Sequence, residues 1–265
     1  MDAFQNDVLQ VINTRSSLRS FSDQPVSKET EQAIIQAALR APTATNRMLY
    51  SILLIRDQET KDLLAERCNH QAFIRKAPLV MVFLLDQQRL YDFYAYNGVP
   101  ELCRRKGKKF MVPAEHHFLL GAHDAINAAQ NAVIAAESLG LGSCYIGHIV
   151  SHYEKNRELF DLPPYVFPIT MLVMGYPAEG ITRRKSSRFD QKYIVFENKY
   201  HRLTPEESKD MYRSIPFSED DRLGAANNAQ LYYMNRYAKD ECYFESVRSV
   251  KEALKFWTAK PWKNC

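Results

Sequence analysis

Arginine and serine side chains are concentrated just before position 20. Arg15, Ser16, Ser17 and Arg19 bring two guanidinium groups and two hydroxyls into one short stretch, NTRSSLRSF. Guanidinium groups donate paired hydrogen bonds to phosphate and stay charged, and serine hydroxyls can serve the remaining oxygens. The stretch therefore indicates either a phosphate-binding segment or a solvated arginine-rich loop, and the residue types alone leave both open.

Two further segments combine small residues with backbone that a ligand can approach. Arg40–Asn46 (RAPTATN) places small polar residues after a proline that ends a helix, which suits contact with a planar ligand but also a plain connection. Leu139–His148 (LGLGSCYIGH) runs from a helix end through a short strand to Gly147, where a ring edge could approach the backbone closely. Because the helix comes first, this is not a GxGxxG dinucleotide fingerprint, and a plain strand with a turn is the alternative.

Basic residues form two clusters, Arg104–Lys109 (RRKGKK) and Arg183–Arg188 (RRKSSR). The totals are nearly balanced, with 35 Lys and Arg against 31 Asp and Glu and a net charge of +4. This balance favours local contacts with small anions, or solvated loops, over a nucleic-acid surface.

No catalytic grouping of side chains stands out. His116, His117 and His123 match no metal motif, and the five cysteines are widely spaced, which indicates reduced thiols. The chain contains no GxSxG motif and no Walker lysine. We therefore predict that no side chain is catalytic and no metal is bound, and that a cofactor carries the chemistry.

Hydrophobic periodicity predicts the elements that position these residues. Three apolar runs of strand length, Ser51–Arg56, Leu79–Leu85 and Ile169–Met174, should form the middle of one sheet. Helices are expected over 28 to 40 with Ser27 as N-cap, over 3 to 13 without a cap, over Asp124–Leu139 up to a C-cap at Gly140, and again beyond residue 200.

Composition bounds the class of protein. The chain of 265 residues is 46% hydrophobic and 25% charged, without a linker-like stretch, which predicts a single globular domain over 1 to 265 whose part from about 205 is a helical extension. No apolar run has the length of a membrane span, and the first residues lack a signal-peptide pattern. We expect a cytoplasmic protein.

Four motifs in order, NTRSSLRSF, RAPTATN, LGLGSCYIGH and GYPAEGITRRKSSR, resemble the nitroreductase and flavin reductase superfamily of FMN-dependent proteins. The similarity extends from about residue 10 to 205, and GLGSCYIG, GYPAE and VFENKYHRL are most similar to the oxygen-insensitive, NADPH-linked branch. The resemblance implies an α+β fold with a central mixed β-sheet flanked by helices, and an intertwined homodimer with FMN at the subunit interface. No nucleic acid or membrane partner is implied.

The resemblance also assigns residues to the flavin. Arg15, Ser16, Ser17 and Arg19 would hold the phosphate, ribityl chain and pyrimidine edge. The loop of the other subunit would cover the ring. The remaining implied cofactor-binding residues are Thr43, Ala44 and Asn46 in that loop, the glutamine Gln71, the ring-lining Tyr145, Ile146, Gly147 and His148, and the basic Arg184 and Arg188, with Lys185 as an alternative because Ser186 stands at the family's second basic position.

The implied activity is transfer of hydride from NADPH or NADH, by a ping-pong mechanism, to nitroaromatic, quinone or flavin acceptors. The alternatives are a non-catalytic FMN-binding or sensing protein and a specialised flavoenzyme, such as a dehalogenase or dehydrogenase. His148 replaces a family glycine and is predicted to modulate the pocket. Near Asn227 and Asn228 this chain has Ala229 and Gln230 where NADPH-specific relatives have arginines that hold the 2′-phosphate, which leaves NADPH or NADH open as the donor, and Arg222 or Arg236 could substitute for those arginines.

Overall fold

The computed structural model describes residues 6–183, 185–213, 215, 224–237 and 240–258. They belong to two compact units. The first comprises Met1–Arg183 with Glu245–Cys265, and the second comprises Arg184–Phe244.

The first unit is built on a four-stranded sheet in the order β1-β2-β4-β3. The central strands β2 and β4 are buried on both faces, as their continuous apolar sequences predict. All three expected apolar runs are strands, and β3 is the short strand expected after Gly140. The strands are β1 (Tyr50–Leu54), β2 (Leu79–Asp86), β3 (Gly142–Ile146) and β4 (Val166–Gly175).

The expected α+β class, with a central sheet flanked by helices, is confirmed. The strand directions differ from the expected mixed sheet, because all three strand pairs among the described residues are antiparallel. One isolated bridge among the described residues, between Ser17 and Ser143, is parallel. Periodicity reports which faces of a strand are buried but not its direction, so the sequence could not distinguish the two arrangements.

The longest helix, α7 (Glu115–Ser138), is the centre of the core. Its fully buried alanines allow the helix to pack closely on the sheet, and Gly140 ends it with the expected left-handed backbone (φ +83°). The helix begins nine residues before the expected Asp124. Its first turn is capped by the His117 ring, whose Nδ1 accepts from Ala114 N at 3.1 Å, and Gly121 lets the helix lie against Leu85 of β2.

Two shorter helices precede β1. For α2 (Lys28–Leu39) the expected N-cap is confirmed, because Ser27 Oγ accepts from Thr30 N at 3.1 Å. The helix α1 (Asp7–Thr14) was expected without a cap, and this was wrong: Asn6 Oδ1 accepts from Leu9 N at 2.9 Å. Asparagine is among the preferred N-cap residues.

The described residues form six further helices in the first unit. Five of them were not predicted, and the sixth was predicted only as part of a helical region beyond residue 200. They are more polar or shorter than the helices that periodicity identified, so their apolar spacing is weak. In the first unit they are α3 (Gln58–Arg67), α4 (Phe73–Lys76), α5 (Gln88–Tyr96), α6 (Val99–Arg105), α8 (Tyr153–Leu159) and α11 (Asp240–Leu254), the last of which belongs to this unit from Glu245 onward.

The second unit contains α9 (Pro205–Arg213) and α10 (Asn228–Arg236), which confirm a helical character beyond residue 200. Asn227 caps α10 by accepting from Gln230 N at 3.1 Å. Across both units, the part of the chain that the structure describes contains no helix of the length and apolar character needed to span a bilayer.

Candidate functional site

The segment 15–19 lies along the edge of β3. Leu18 N donates to Ser143 O at 2.9 Å, and Ser16 and Leu18 are buried while Ser17 and Arg19 are exposed. The glycine at position 142 is required for this packing, because a Cβ there would overlap the Leu18 side chain. The local strand-like geometry therefore presents Ser17 and Arg19 on the accessible side of the sheet edge.

A buried ion pair fixes the start of this segment. Arg183 Nη2 donates to both carboxylate oxygens of Glu137 at 2.9 and 2.8 Å and to Ser16 O at 2.5 Å. Ser143 Oγ donates to the same carboxylate at 3.2 Å, and the Glu137 side chain is only 5% exposed. The last turns of α7 are thereby connected to the segment, and the Glu137 charge is balanced by Arg183.

Three buried polar atoms at this position have no hydrogen-bond partner among the residues that the structure describes: Arg15 Nε, Ser16 Oγ and Arg183 Nε. Buried polar atoms are rarely left unpaired. Two belong to guanidinium groups and the third to a hydroxyl, and a phosphate group offers acceptors to both kinds of donor. The donor set therefore fits a phosphorylated ligand.

The two predicted arginines also act on β3. Burial raises the pKa of the Cys144 thiol, and the charges of Arg19 and Arg15 and a hydrogen bond with Ser17 lower it part of the way back. Burial likewise raises the pKa of Tyr145 to about 12, with Arg15 opposing the shift. Both groups are neutral near pH 7, so neither supplies a charge to the site.

At the end of β3 the backbone is open to a ligand. Ile146 is buried, and Gly147, the next residue, is exposed at the start of a 3-10 turn, Gly147–Val150. No described atom lies within 4 Å of where a Cβ on Gly147 would be. The Tyr145 hydroxyl is held by Gln130 Oε1 at 3.2 Å. The protein itself thus leaves space beside Gly147 that a flat ring could occupy.

The expected glutamine lies in a tight turn between α3 and α4. Asn69 and His70 both have positive φ values (65° and 52°), and Gln71 Nε2 donates to Cys68 O at 2.6 Å. Two residues later, the Phe73 ring lies under the Arg19 guanidinium at 6.0 Å. The turn therefore brings Gln71 to the neighbourhood of the arginine segment.

The loop with Thr43, Ala44 and Asn46 is held by a buried carboxylate on α7. Asp124, 3% exposed, accepts from Ala44 N at 3.0 Å, from Leu49 N at 3.0 Å and from the Thr43 hydroxyl. The backbone between these contacts includes Asn46 at φ 57°. Three donors converging on one carboxylate fix the conformation of the loop.

Within one chain, this loop and the arginine segment are attached to α7 at positions far apart along the helix. The loop is attached to α7 at position 124 and the segment at position 137, which at 1.5 Å per residue are about 20 Å apart along the helix. The predicted site residues thus form two groups. Arg15, Ser16, Ser17, Arg19, Gln71, Tyr145, Ile146, Gly147 and His148 adjoin β3, whereas Thr43, Ala44 and Asn46 lie toward the other end of α7.

The fourth motif contributes three predicted basic residues. Arg184, like Arg222, lies outside the described residues, and Arg188 and Lys185 are exposed in the second unit. Their predicted contacts with phosphate stay predictions. Arg183 was not singled out, although its side chain donates to Ser16 O.

Sequence reasoning also missed Asp124 and Glu137, the two carboxylates that hold the site elements on α7. One signal was present, because they are the only charged residues in the otherwise apolar stretch Asp124–Leu139. Buried carboxylates need partners, and here the partners are a loop backbone and an arginine distant in sequence.

The fold and this group of residues define an α+β protein. At one edge of its antiparallel sheet it presents hydrogen-bond donors suited to a phosphate group, together with open backbone. A family model described as "Nitroreductase family" matches residues 12–176. The chain belongs to the nitroreductase family, which confirms the resemblance seen in its motifs.

Characterised relatives and solved structures agree with this membership. An FMN reductase [NAD(P)H] of Bacillus subtilis is 32% identical over 204 residues, covering 74% of this chain and 75% of the relative. A Cr(VI) reductase of a Pseudomonas strain is 31% identical over 194 residues, covering 73% and 75%. The structure of nitroreductase A from Vibrio parahaemolyticus superimposes with a TM-score of 0.76 at 25% identity, covering 95% of this chain and 98% of that one.

Proposed function

We propose that the protein is an FMN-dependent oxidoreductase that takes hydride from NADPH or NADH and reduces nitroaromatic, quinone or flavin acceptors as a cytoplasmic homodimer. The observation that carries the proposal is that two features lie along the same strand, β3: buried donors of Arg15 and Ser16 that have no partner among the described residues, and the open backbone at Gly147. The relatives named as FMN and Cr(VI) reductases support redox chemistry of this kind.

In this proposal Arg15, Ser16, Ser17 and Arg19 bind the phosphate, ribityl chain and pyrimidine edge of FMN. The donor atoms at the segment support the phosphate contact, since guanidinium groups form strong bonds to phosphate oxygens. Arg183 keeps Ser16 in place by donating a hydrogen bond to the Ser16 carbonyl oxygen. Arg184 and Arg188 would make further contacts with the phosphate.

Tyr145, Ile146, Gly147 and His148 would hold the flavin ring, together with Gln71. When bound, FMN would supply the redox chemistry that connects the nucleotide to the acceptor. The chain contributes fixed positive charge from Arg19 and backbone N–H groups near Gly147, which favour a reduced ring that carries negative charge. No side chain is required as an acid or a base.

A loop of the second subunit would cover the flavin ring. Thr43, Ala44 and Asn46 are held about 20 Å along α7 from the arginine segment of their own chain, too far to share one ring with it. In an antiparallel pairing of α7 helices, the loop of one copy meets the segment of the other. The homodimer is thus a condition for a complete site.

Hydride donor and acceptor bind the same open face in turn, which gives ping-pong kinetics. Steady-state rates measured over a grid of donor and acceptor concentrations would then give parallel double-reciprocal lines. Intersecting lines would mean that both substrates bind together, and would contradict a shared pocket.

The proposal is tested first by the absorption spectrum of the purified protein. A yellow protein with flavin bands is expected, and NADPH or NADH should bleach it within the mixing time, after which a quinone should restore the colour. Bound flavin that no nucleotide bleaches would indicate a storage or sensing protein. A colourless chain that does not bind added FMN would contradict the proposal.

A further inference from the structure

The basic cluster Arg104–Lys109 has no role in the function proposed above. It comprises the last two residues of α6 and the exposed turn that follows, where Gly107 takes a positive φ of 62° and Lys108 N donates to Cys103 O at 2.8 Å. Arg104 pairs with Glu101 at 2.7 Å. The other cations, Arg105, Lys106, Lys108 and Lys109, form no ion pair with another described residue.

The turn is fixed to α5 rather than projecting freely. Phe110, immediately after the cations, is 7% exposed and stacks on the Tyr91 ring at 5.5 Å between centroids. An aromatic residue buried in this way anchors the backbone on both sides of it. The cations therefore have a defined location at the surface of α5.

The same helix, α5, also holds the loop that covers the flavin ring of the other subunit in the proposed function. The Tyr94 hydroxyl accepts a hydrogen bond from Arg47, next to Asn46, and the Arg47 guanidinium lies 5.9 Å from the Tyr94 ring. Arg89, also on α5, donates to the Met48 and Tyr50 carbonyls. The covering loop and the basic turn are thus attached to α5 by Tyr94 and Tyr91, one helical turn and about 5 Å apart.

We infer that the basic turn Arg104–Lys109 binds the additional phosphate of NADPH, and so selects NADPH over NADH. The inference rests on the proposed function, which places the covering loop at the ring where nicotinamide reacts. A dinucleotide whose nicotinamide end lies there extends away from the ring with its adenosine end. Uncompensated cations beside the loop suit a phosphate group carried on that end.

The test compares two triple variants of equal charge. K106Q/K108Q/K109Q removes three cations of the turn, and K28Q/K199Q/K251Q removes three exposed lysines elsewhere that form no ion pair with a described residue. We expect the turn variant to raise the KM for NADPH about tenfold, with less than about a twofold change for NADH, since tenfold corresponds to the loss of one good charged contact. The control variant should change neither.

Calorimetric titration with adenosine 2′,5′-bisphosphate measures the contact without turnover. The turn variant should bind this probe about tenfold more weakly than the parent, whereas binding of 5′-AMP should be the same in both. Equal losses for NADPH and NADH, or unchanged binding of the bisphosphate, would overturn the inference. If the parent lacks flavin, the proposed function fails, but the titration still tests whether the turn recognises this phosphate.

Discussion

At the scale of single residues, the site depends on where charge is left uncompensated. Arg183 forms an ion pair with Glu137, whereas Ser16 Oγ and Arg15 Nε have no hydrogen-bond partner among the described residues. Arg19 is exposed beside them, over the Phe73 ring. A phosphate group placed here would gain charged hydrogen bonds without breaking an existing ion pair.

Arg19→Gln should therefore weaken FMN binding with little effect on folding, because the side chain is exposed. We expect the Kd of FMN to rise about tenfold, which corresponds to about 1.4 kcal/mol for a lost charged contact. Quenching of flavin fluorescence during titration of the protein measures the Kd. Arg202→Gln, also exposed, serves as the control, and equal Kd values for the two variants would show that Arg19 does not bind FMN.

His148 stands next to the open Gly147 at the end of β3. In the proposed site, an imidazole ring at this position would narrow the space beside the flavin and would place a group that can carry a proton near it. His148→Gly should change the dependence of kcat/KM on pH and widen the range of accepted substrates. If the variant matches the parent at every pH with both a quinone and a nitroaromatic acceptor, His148 has neither role.

The sequence revealed those site residues whose chemical type is itself a signal, such as Arg15 and Arg19. It did not reveal Arg183 as a partner of Glu137, because the two are distant in sequence and meet only after β4 returns beside β3. Asp124 was missed for the same reason. Residues that hold other residues in place are recognised from contacts, and contacts depend on the fold.

At the scale of elements, α7 holds two parts of the site through two carboxylates. Asp124 accepts hydrogen bonds from Thr43, Ala44 and Leu49, and its burial makes the loss of any of them costly. The helix can perform this role because its alanines bring it close to the sheet, so short side chains reach the loop.

Asp124→Asn should release the covering loop and destabilise the fold. An amide keeps the size but cannot accept all three bonds, so we expect a loss of about 2 kcal/mol in the free energy of unfolding. Urea denaturation followed by circular dichroism measures it. Asn127→Ala, which removes a longer bond to Pro42 O at 3.3 Å from an exposed residue, should cost clearly less. A comparable cost for both variants would contradict the special role of Asp124.

The first unit is also stabilised by charged side chains of α11, Glu245 and Arg248, which form an ion pair. Hydrogen bonds from Arg248 lower the pKa of Glu245 from its ordinary 4.5 to about 2, with help from Ser249 and His152 N and against a smaller effect of burial. Since the pKa is lower in the folded state, this stabilisation is fully present above pH 4.5 and is lost as the pH falls towards 2.

We therefore expect α11 to detach in acid before the sheet unfolds. The Trp257 ring, buried against Phe118 and Tyr165, should report this as a change in fluorescence between about pH 4.5 and 2 in a Trp262→Phe background. Glu245→Gln should remove most of the transition in this range. A transition of unchanged size in that variant would show that another group controls it.

The elements themselves were predictable in proportion to their burial. The strands β2 and β4 are continuous apolar runs, and α2 has a clear N-cap and helical spacing, so their positions follow from local sequence. The polar α3 has no such pattern. The antiparallel order of the strands is set by how the connections fold back, which no local pattern encodes.

At the scale of the whole molecule, the arrangement of α7 points to a second copy of the chain. Large apolar side chains on α7 and α1 are exposed in the single chain, including Leu119, Ile126, Val8 and Ile12. An exposed apolar surface of this kind is typical of a protein interface. The same helix carries the covering loop, so pairing along α7 would bury the apolar residues and complete the site together.

Ile126→Asp tests this connection between assembly and cofactor binding. Ile126 is 42% exposed in the single chain, so a carboxylate there leaves the isolated fold intact but introduces an unpaired charge at a paired α7 surface. Analytical ultracentrifugation should show a monomer, and FMN affinity should fall about tenfold or more, because the partner's loop no longer covers the ring. Ile194→Asp, at a residue 60% exposed in the second unit, should leave both the dimer and the flavin unchanged. A monomeric Ile126→Asp protein that binds FMN as tightly as the parent would mean that one chain alone completes the site, and the separation of the two residue groups along α7 would then need another explanation.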